Sequence, residues 1–325
     1  MAFPNVSDIV ATTIENRSRK IANNVLKNNA LLARLRKKGK IKPVSGGSVI
    51  FQELSYAENA NFGWYSGYDL LPIGASDVIS AAQFPWKQAA VPVTVSGLEK
   101  LQNSSKEQMI DLLEARISVA EDTMVNNLAA AIYSDGTGYG GKQVAGLAAA
   151  VPVTPTTGTY GSIDRSVWSF WQPQLTTTSG VNPTGGATGN VQGYLNTHWA
   201  KMVRGKDRTD LVIMDTNWWG VYMSSLQALQ RFVDVDTANL GFPSVKFMDA
   251  DVVLDGGLGG FCPAWSCWFL NTDYIFYRPH KDRDIVPLDP EKRHGTNQDA
   301  EVSIIGWAGN MTMSNSFLQG FLKGY

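Results

Sequence analysis

Histidine, cysteine and charge are the scarce ingredients of this 325-residue chain, and each shortage narrows what it can do. The histidines are His198, His280 and His294, none in an H-E-x-x-H pair or beside a G-x-S-x-G elbow, so the sequence offers no seat for histidine-dependent hydrolysis. Both cysteines, Cys262 and Cys267, fall in one Cys-Pro-Ala-Trp-Ser-Cys segment. Tetrahedral zinc wants four protein ligands or three and a water, so this pair is expected to be free buried thiols in a reducing compartment, with no metal and no cofactor. No apolar run approaches the ~20 residues needed to span a bilayer, and the opening thirty residues hold no apolar signal segment, so folding in the cytoplasm without a membrane is expected. Charged residues make up 18% of the chain, below the ~25% of ordinary soluble domains.

Aromatic residues, by contrast, are plentiful, with 10 Trp, 11 Tyr and 13 Phe. Low charge with many aromatics suits a chain that buries surface against copies of itself, and it equally suits a β-rich fold with a large core. Charge is also unevenly placed. Residues 1–42 carry Arg17, Arg19, Lys20, Lys27, Arg34, Arg36, Lys37, Lys38, Lys40 and Lys42 against Asp8 and Glu15, an excess of eight positive charges on an otherwise acidic body. Three readings of this arm stand: contact with DNA phosphates, pairing with acids of a neighbouring subunit, or a solvated helix face. Ile9, Val10, Ile14, Ile21, Val25, Leu26, Leu31, Leu32 and Leu35 recur at helical spacing, which predicts one or two amphipathic helices over 7–37, capped by Ser7 and closed by Gly39.

A longer helix is predicted over about 105–133. Met109, Leu112, Leu113, Ile117, Ala120, Met124, Leu128, Ala131 and Ile132 form an apolar stripe, and Ser104 with Glu107 makes a capping box. At 1.5 Å per residue it would run roughly 43 Å, so a large sheet or neighbouring chains must cover it. Before it, 46–96 reads as a long projecting hairpin. Val49, Phe51 and Leu54 alternate on the way out and Val91, Val93 and Val95 on the return, with Asn61-Phe-Gly-Trp-Tyr-Ser-Gly-Tyr68 at the tip. An isolated ribbon is marginal in water, so the hairpin should rest on another molecule; the alternative is a small β-subdomain with its rings inside.

The helix runs out into Ala131-Ile-Tyr-Ser-Asp-Gly-Thr-Gly138, followed by Val144-Ala-Gly146-Leu147. This segment resembles the end of the spine helix in tailed-phage major capsid proteins of the Hong Kong 97 fold. The order around it agrees: arm, long hairpin, spine helix, glycine loop, α/β domain and returning strands. The resemblance implies an α+β capsid fold with an N-terminal arm over 1–45, an extended hairpin loop over 46–96 and a peripheral domain with the spine helix over 97–160. An axial domain over 161–264 and peripheral return strands over 265–325 complete it. It also implies a structural protein rather than an enzyme, assembling as hexamers and pentamers into an icosahedral head around double-stranded DNA. Trp64, Tyr65, Tyr68, Phe84 and Trp86 become subunit-interface anchors. A portal, a decoration protein and, since the arm is too short to hold a fused scaffold, a separate scaffolding protein come with it. Lys87 is the sole lysine of the hairpin segment and hence the sole candidate there for the intersubunit isopeptide bond some members form.

Within the axial segment, 174–191 reads as a surface loop, 191–204 as a helix, and Asp210–Asp215 as a buried strand feeding a helix capped by Thr216. Val245–Leu254, Trp268–Arg278 and Val302–Leu318, the last interrupted at Trp307-Ala-Gly309, read as strands. Gly256-Gly-Leu-Gly-Gly260 lacks the Lys-Ser/Thr of a phosphate loop. The pairs Asp234/Asp236, Asp249/Asp251 and Asp282/Asp284, with Trp218, Trp219 and Trp265, leave two other readings open. One is a carbohydrate-binding or carbohydrate-active protein. The other keeps the capsid architecture as an encapsulin-like nanocompartment shell.

Overall fold

A computed structural model of the chain describes residues 29–102, 106–178, 191–226, 244–256, 260–288, 293–294 and 300–324. Arg17, Arg19, Lys20 and Lys27, the Ser7 cap, Ser104 of the capping box, the side chains of Met109, Leu112 and Leu113, and the Asp234/Asp236 pair lie outside the described residues.

The described part of the arm is a helix, α1 (Ala30–Lys37). Asn29 caps it, its side-chain oxygen accepting from the Leu31 and Leu32 amides at 2.9 and 3.2 Å, and Arg34, Arg36 and Lys37 complement the dipole in the last turn. Gly39 takes the left-handed conformation expected of it, with φ +65°. Leu31, Leu32 and Leu35 are fully buried, so this end of the arm is part of the body.

The hairpin pairs differently from expectation. Strand β1 (Val49–Ser55) is antiparallel to β2 (Ile79–Pro85), in register from Val49↔Pro85 to Ser55↔Ile79. The valines expected on the return belong instead to β3 (Lys87–Ser96), which leaves the hairpin for another sheet. The buried phase of β1 is Ile50, Gln52 and Leu54, with Phe51 exposed. Gln52 tolerates burial because its side-chain oxygen accepts from Arg278 at 2.7 Å and Thr312 at 3.1 Å, which bolts the hairpin root to the body.

After a short helix α2 (Gly97–Gln102), the long helix α3 (Lys106–Ala131) has 26 residues, about 39 Å. Ile117, Ala120, Met124, Leu128 and Ala131 are buried as the stripe requires, against a sheet whose nearest strand is β3. Its end is fixed by a close backbone approach: the Leu147 amide donates to the Ile132 carbonyl at 2.6 Å, and a Cβ on Gly146 would stand 2.3 Å from that oxygen.

Further along come β4 (Thr159–Tyr160), β5 (Ile163–Asp164), β6 (Gln174–Thr177), α4 (Val191–Lys201), β7 (Leu211–Met214), α5 (Thr216–Leu226), β8 (Ser244–Phe247) and β9 (Ala250–Leu254), then β10 (Ser266–Leu270), β11 (Ile275–Pro279), β12 (Val286–Pro287), β13 (Arg293–His294), β14 (Ala300–Met313) and β15 (Gly320–Lys323). Four expectations are corrected here. Gln174–Thr177 is a strand, the 245–254 run is two strands joined by a tight turn at Met248 (φ 53°), the 268–278 run is split between two sheets, and β14 passes Trp307–Gly309 without interruption. Asp215, not Thr216, caps α5, accepting from the Asn217 and Trp218 amides at 3.2 and 3.0 Å.

Two sheets result. In one, β14 is the shared central strand, with β3 along one edge and β13, β12 and β11 end to end along the other. The other has the order β6-β15-β10-β7-β9-β8, with β7/β9 and β15/β6 parallel. Strands β7 and β10 are buried along their whole length, as a sheet covered on both faces must be. One face joins the core of α1, α3 and the first sheet through Ile213, Trp268 and Phe321; the other packs under α4 and α5 through Leu195, Trp218 and Tyr222. The last sixty residues therefore serve both sheets, since β10 and β15 join the second and β11–β14 the first.

A candidate assembly surface

Between Tyr56 and Val78 the chain leaves the ladder and builds a tip that touches little else. Asn61 donates through its amide to the Gly74 carbonyl at 2.6 Å, and the Ser66 amide donates to Asp69 at 2.9 Å across a turn with Gly67 at φ +55°. These bonds shape the tip while leaving its apolar groups in water. Trp64 is 95% exposed, Leu70 98% and Ile73 96%, with Phe62, Tyr65, Tyr68 and Leu71 also exposed. Each such side chain gains roughly 1.5–3 kcal/mol when buried, so the tip is a surface that is stabilised by being covered. Phe62, Leu70 and Ile73 were not singled out from sequence, although their clustering with no alternating polar face was the available signal.

Three of the five expected anchors, Trp64, Tyr65 and Tyr68, stand on this exposed tip. Phe84 does not. It is 1% exposed and packs edge-on to Tyr160 at 5.1 Å, so it is a core residue of the hairpin root. Trp86 is half-buried, its indole N–H donating to the Gly47 carbonyl at 2.8 Å and its ring resting on His280 at 5.3 Å. Phe84 is corrected because it follows the ladder back to the body, while Trp86, one residue beyond the last pair, keeps part of its surface exposed.

The basic arm is corrected in part. Arg34 reaches Asp210 at 3.2 Å and Asp251 at 3.0 Å, Lys38 reaches Asp210 at 3.0 Å and Asp273 at 3.2 Å, and Lys40 lies 3.7 Å from Asp273. These cations clasp the second sheet of their own chain and are not a free DNA-facing stripe. Arg36, Lys37 and Lys42 are exposed at the surface. A buried polar knot holds the same junction: Asn29 and the Tyr133 hydroxyl both donate to Asp255, whose carboxyl is pushed up by burial.

Among the described residues, the acids and rings that suggested sugar chemistry lie apart from one another. Asp249 pairs with Arg208 at 2.7 Å on the surface, while Asp251 is buried against Arg34, so the two do not face a common substrate. Asp284 is raised to about 6 by burial. Trp218 is wholly buried. His198 sits under β6 with its Nδ1 2.9 Å from the Thr176 hydroxyl, held down to about 3 first by burial and then by Lys201. Cys262 and Cys267 are free, and no cluster of metal-ligating side chains occurs among the described residues. Lys87 is at the hairpin root, its ammonium donating to the Gly141 carbonyl of the glycine loop. No helix among the described residues is long and apolar enough to cross a membrane.

No family model matches the chain, and no curated protein matches it in sequence. Solved capsid structures do match it in three dimensions. A chain of the cyanophage A-1(L) capsid asymmetric unit aligns with a TM-score of 0.60 at 13% identity, over 87% of this chain and 90% of that one. The capsid of the native GTA particle gives 0.57 at 13% identity over 89% of each chain. The satellite phage P4 procapsid gives 0.52 at 10% identity, over 99% of this chain and 92% of that one. At such identities the likeness concerns the fold, and the chain has the fold of these phage capsid chains across nearly its full described length. The order of arm, hairpin, long helix and two sheets agrees with the Hong Kong 97-like architecture expected from sequence.

Proposed function

We propose that this chain is the major capsid protomer of a tailed-phage head, a structural protein whose activity is self-assembly into a closed shell of hexamers and pentamers. The observation that carries this reading is the hairpin tip, where seven large apolar side chains, Phe62, Trp64, Tyr65, Tyr68, Leu70, Leu71 and Ile73, stand in water on a chain of capsid fold. A ribbon of two strands does not hold such a surface in water on its own behalf; copies of the chain give it somewhere to lie. Assembly then rests on apolar and aromatic burial spread over many copies, with charge setting approach and register.

A separate scaffolding protein, a portal, a decoration protein and packaged double-stranded DNA belong to this reading as partners, with the virion as the location. Arg36, Lys37 and Lys42 are the described arm cations whose exposure suits non-specific phosphate contact. Sedimentation velocity of the purified chain against its Trp64→Ala variant tests the proposal. Megadalton or ring-sized species that fall apart on substitution support it; a monomer at every concentration and salt refutes it.

A further inference from the structure

We propose that the turn joining α4 to β7, residues 201–208, is a contact surface for the phosphate backbone of double-stranded DNA, with Arg204 and Lys206 as its leading cations. The inference rests on the shell-protomer reading and places a DNA contact on the second sheet, outside the arm. Lys201, Arg204, Lys206 and Arg208 stand within this short segment against Asp207, and all four cations are exposed. The backbone that carries them is fixed. Arg204 and Asp207 exchange amide-to-carbonyl bonds at 2.8 and 3.0 Å around Gly205, whose φ of +60° fills the first central position of the turn, where glycine is the residue of choice. Lys206 is therefore held at the apex of a closed turn.

The surroundings of the turn favour a polyanion. Its acids are already engaged: Asp207 accepts from the Tyr274 hydroxyl at 3.0 Å, Asp210 is taken by Arg34 and Lys38, and Asp249 by Arg208. Among the described residues, Arg204 and Lys206 have no carboxylate partner. The basic surface also continues beyond the turn. Asp273, next to Tyr274 in the segment Thr272–Tyr274, holds Lys38 and Lys40 at 3.2 and 3.7 Å, so cations of the arm lie beside those of the turn. Apolar surface is what the turn lacks, since its most exposed large apolar side chain is Val203, at 38%. A protein partner is bound through a buried apolar or aromatic centre, whereas phosphates are neutralised by cations alone, without reading sequence. The Arg208–Asp249 pair, with side chains 52% and 56% exposed, is weak in water and opens to a phosphate at little cost.

The test is fluorescence anisotropy of a short labelled duplex, titrated with the full chain below its assembly concentration over a series of salt concentrations. The double variant Arg204→Gln, Lys206→Gln should weaken binding about tenfold at low salt. It should also flatten the slope of log K against log salt by about 1.8, at about 0.9 for each phosphate contact, and do so equally on duplexes of different sequence. An unchanged slope overturns the proposal. So does equal displacement of the duplex by polyglutamate at the same total charge, which would assign the surface to an acidic protein. Acetylation read by mass spectrometry gives the position: the duplex should protect Lys201 and Lys206 and leave Lys142, exposed on the glycine loop, reactive. Equal reactivity of Lys206 with and without DNA is the contrary result. Light scattering keeps the two readings apart. A chain that forms particles but binds no duplex overturns the DNA contact alone; one that binds the duplex through these residues but never assembles overturns the shell reading alone.

Discussion

Two rings of the same hairpin, Phe84 and Trp64, should separate folding from assembly. Phe84 is 1% exposed, and its ring end would lie 2.8 Å from a Cβ placed on Gly161, so the wall beside it is backbone that cannot follow a shrinking side chain. Truncation to alanine removes a buried aromatic of roughly 150–200 Å², leaves a cavity and ends the edge-on contact with Tyr160. The expected loss is about 4 kcal/mol, of which the aromatic pair supplies about 1. Trp64 is 95% exposed, and in the unassembled chain its removal should change stability by less than about 0.5 kcal/mol. Urea unfolding followed by tryptophan fluorescence, at concentrations too low for assembly, measures both; light scattering at high concentration measures the second effect of Trp64→Ala, a loss of particles. A Phe84→Ala loss below about 1 kcal/mol, or a Trp64→Ala loss equal to it, would refute the division between root and tip.

Three further outcomes follow from the body of the molecule. Arg34→Ala withdraws the guanidinium from the buried Asp251 and should cost about 2–4 kcal/mol in urea unfolding, with Arg34→Lys recovering less than half because one ammonium cannot bridge both Asp210 and Asp251; equal stability would show the clasp to be idle. His198, held near 3 in the fold, stays neutral while the unfolded imidazole binds a proton below its ordinary 6.5, so its contribution is complete above pH 6.5 and is lost as pH falls toward 3, at about 1.4 kcal/mol per pH unit. Asp284, raised to about 6, has the opposite sign over its own window, so the check is the slope difference between the chain and His198→Gln; parallel curves from pH 6.5 to 4 would contradict it. Gly146→Ala sets a Cβ 2.3 Å from the Ile132 carbonyl oxygen and 2.5 Å from that of Ala131, and should cost about 2–3 kcal/mol by thermal unfolding, an unchanged midpoint being the contrary result.

What the sequence disclosed about this fold is what local spacing encodes. The stripe from Ile117 to Ile132 was legible because helical neighbours are three and four residues apart whatever else the chain does. Strand partners were not, since β3 finds β14 some two hundred residues later and no local pattern says so. The same limit explains β1: only the arrival of Arg278 and Thr312 makes Gln52 an inward residue and turns Phe51 outward. Net charge marked the arm as basic without showing that Asp210, Asp251 and Asp273 would converge on Arg34, Lys38 and Lys40. Of the candidate interface, the aromatic tip was visible as composition, and Phe84 was misplaced because it pairs with Ile50 near the hairpin root, far from the tip.

The most direct test of the central claim is electron cryomicroscopy of the purified, concentrated chain. The account predicts closed shells or capsomer rings in which residues 56–78 of every copy lie across a neighbour. A field of separate monomers with free hairpins, unchanged by concentration or salt, would contradict it.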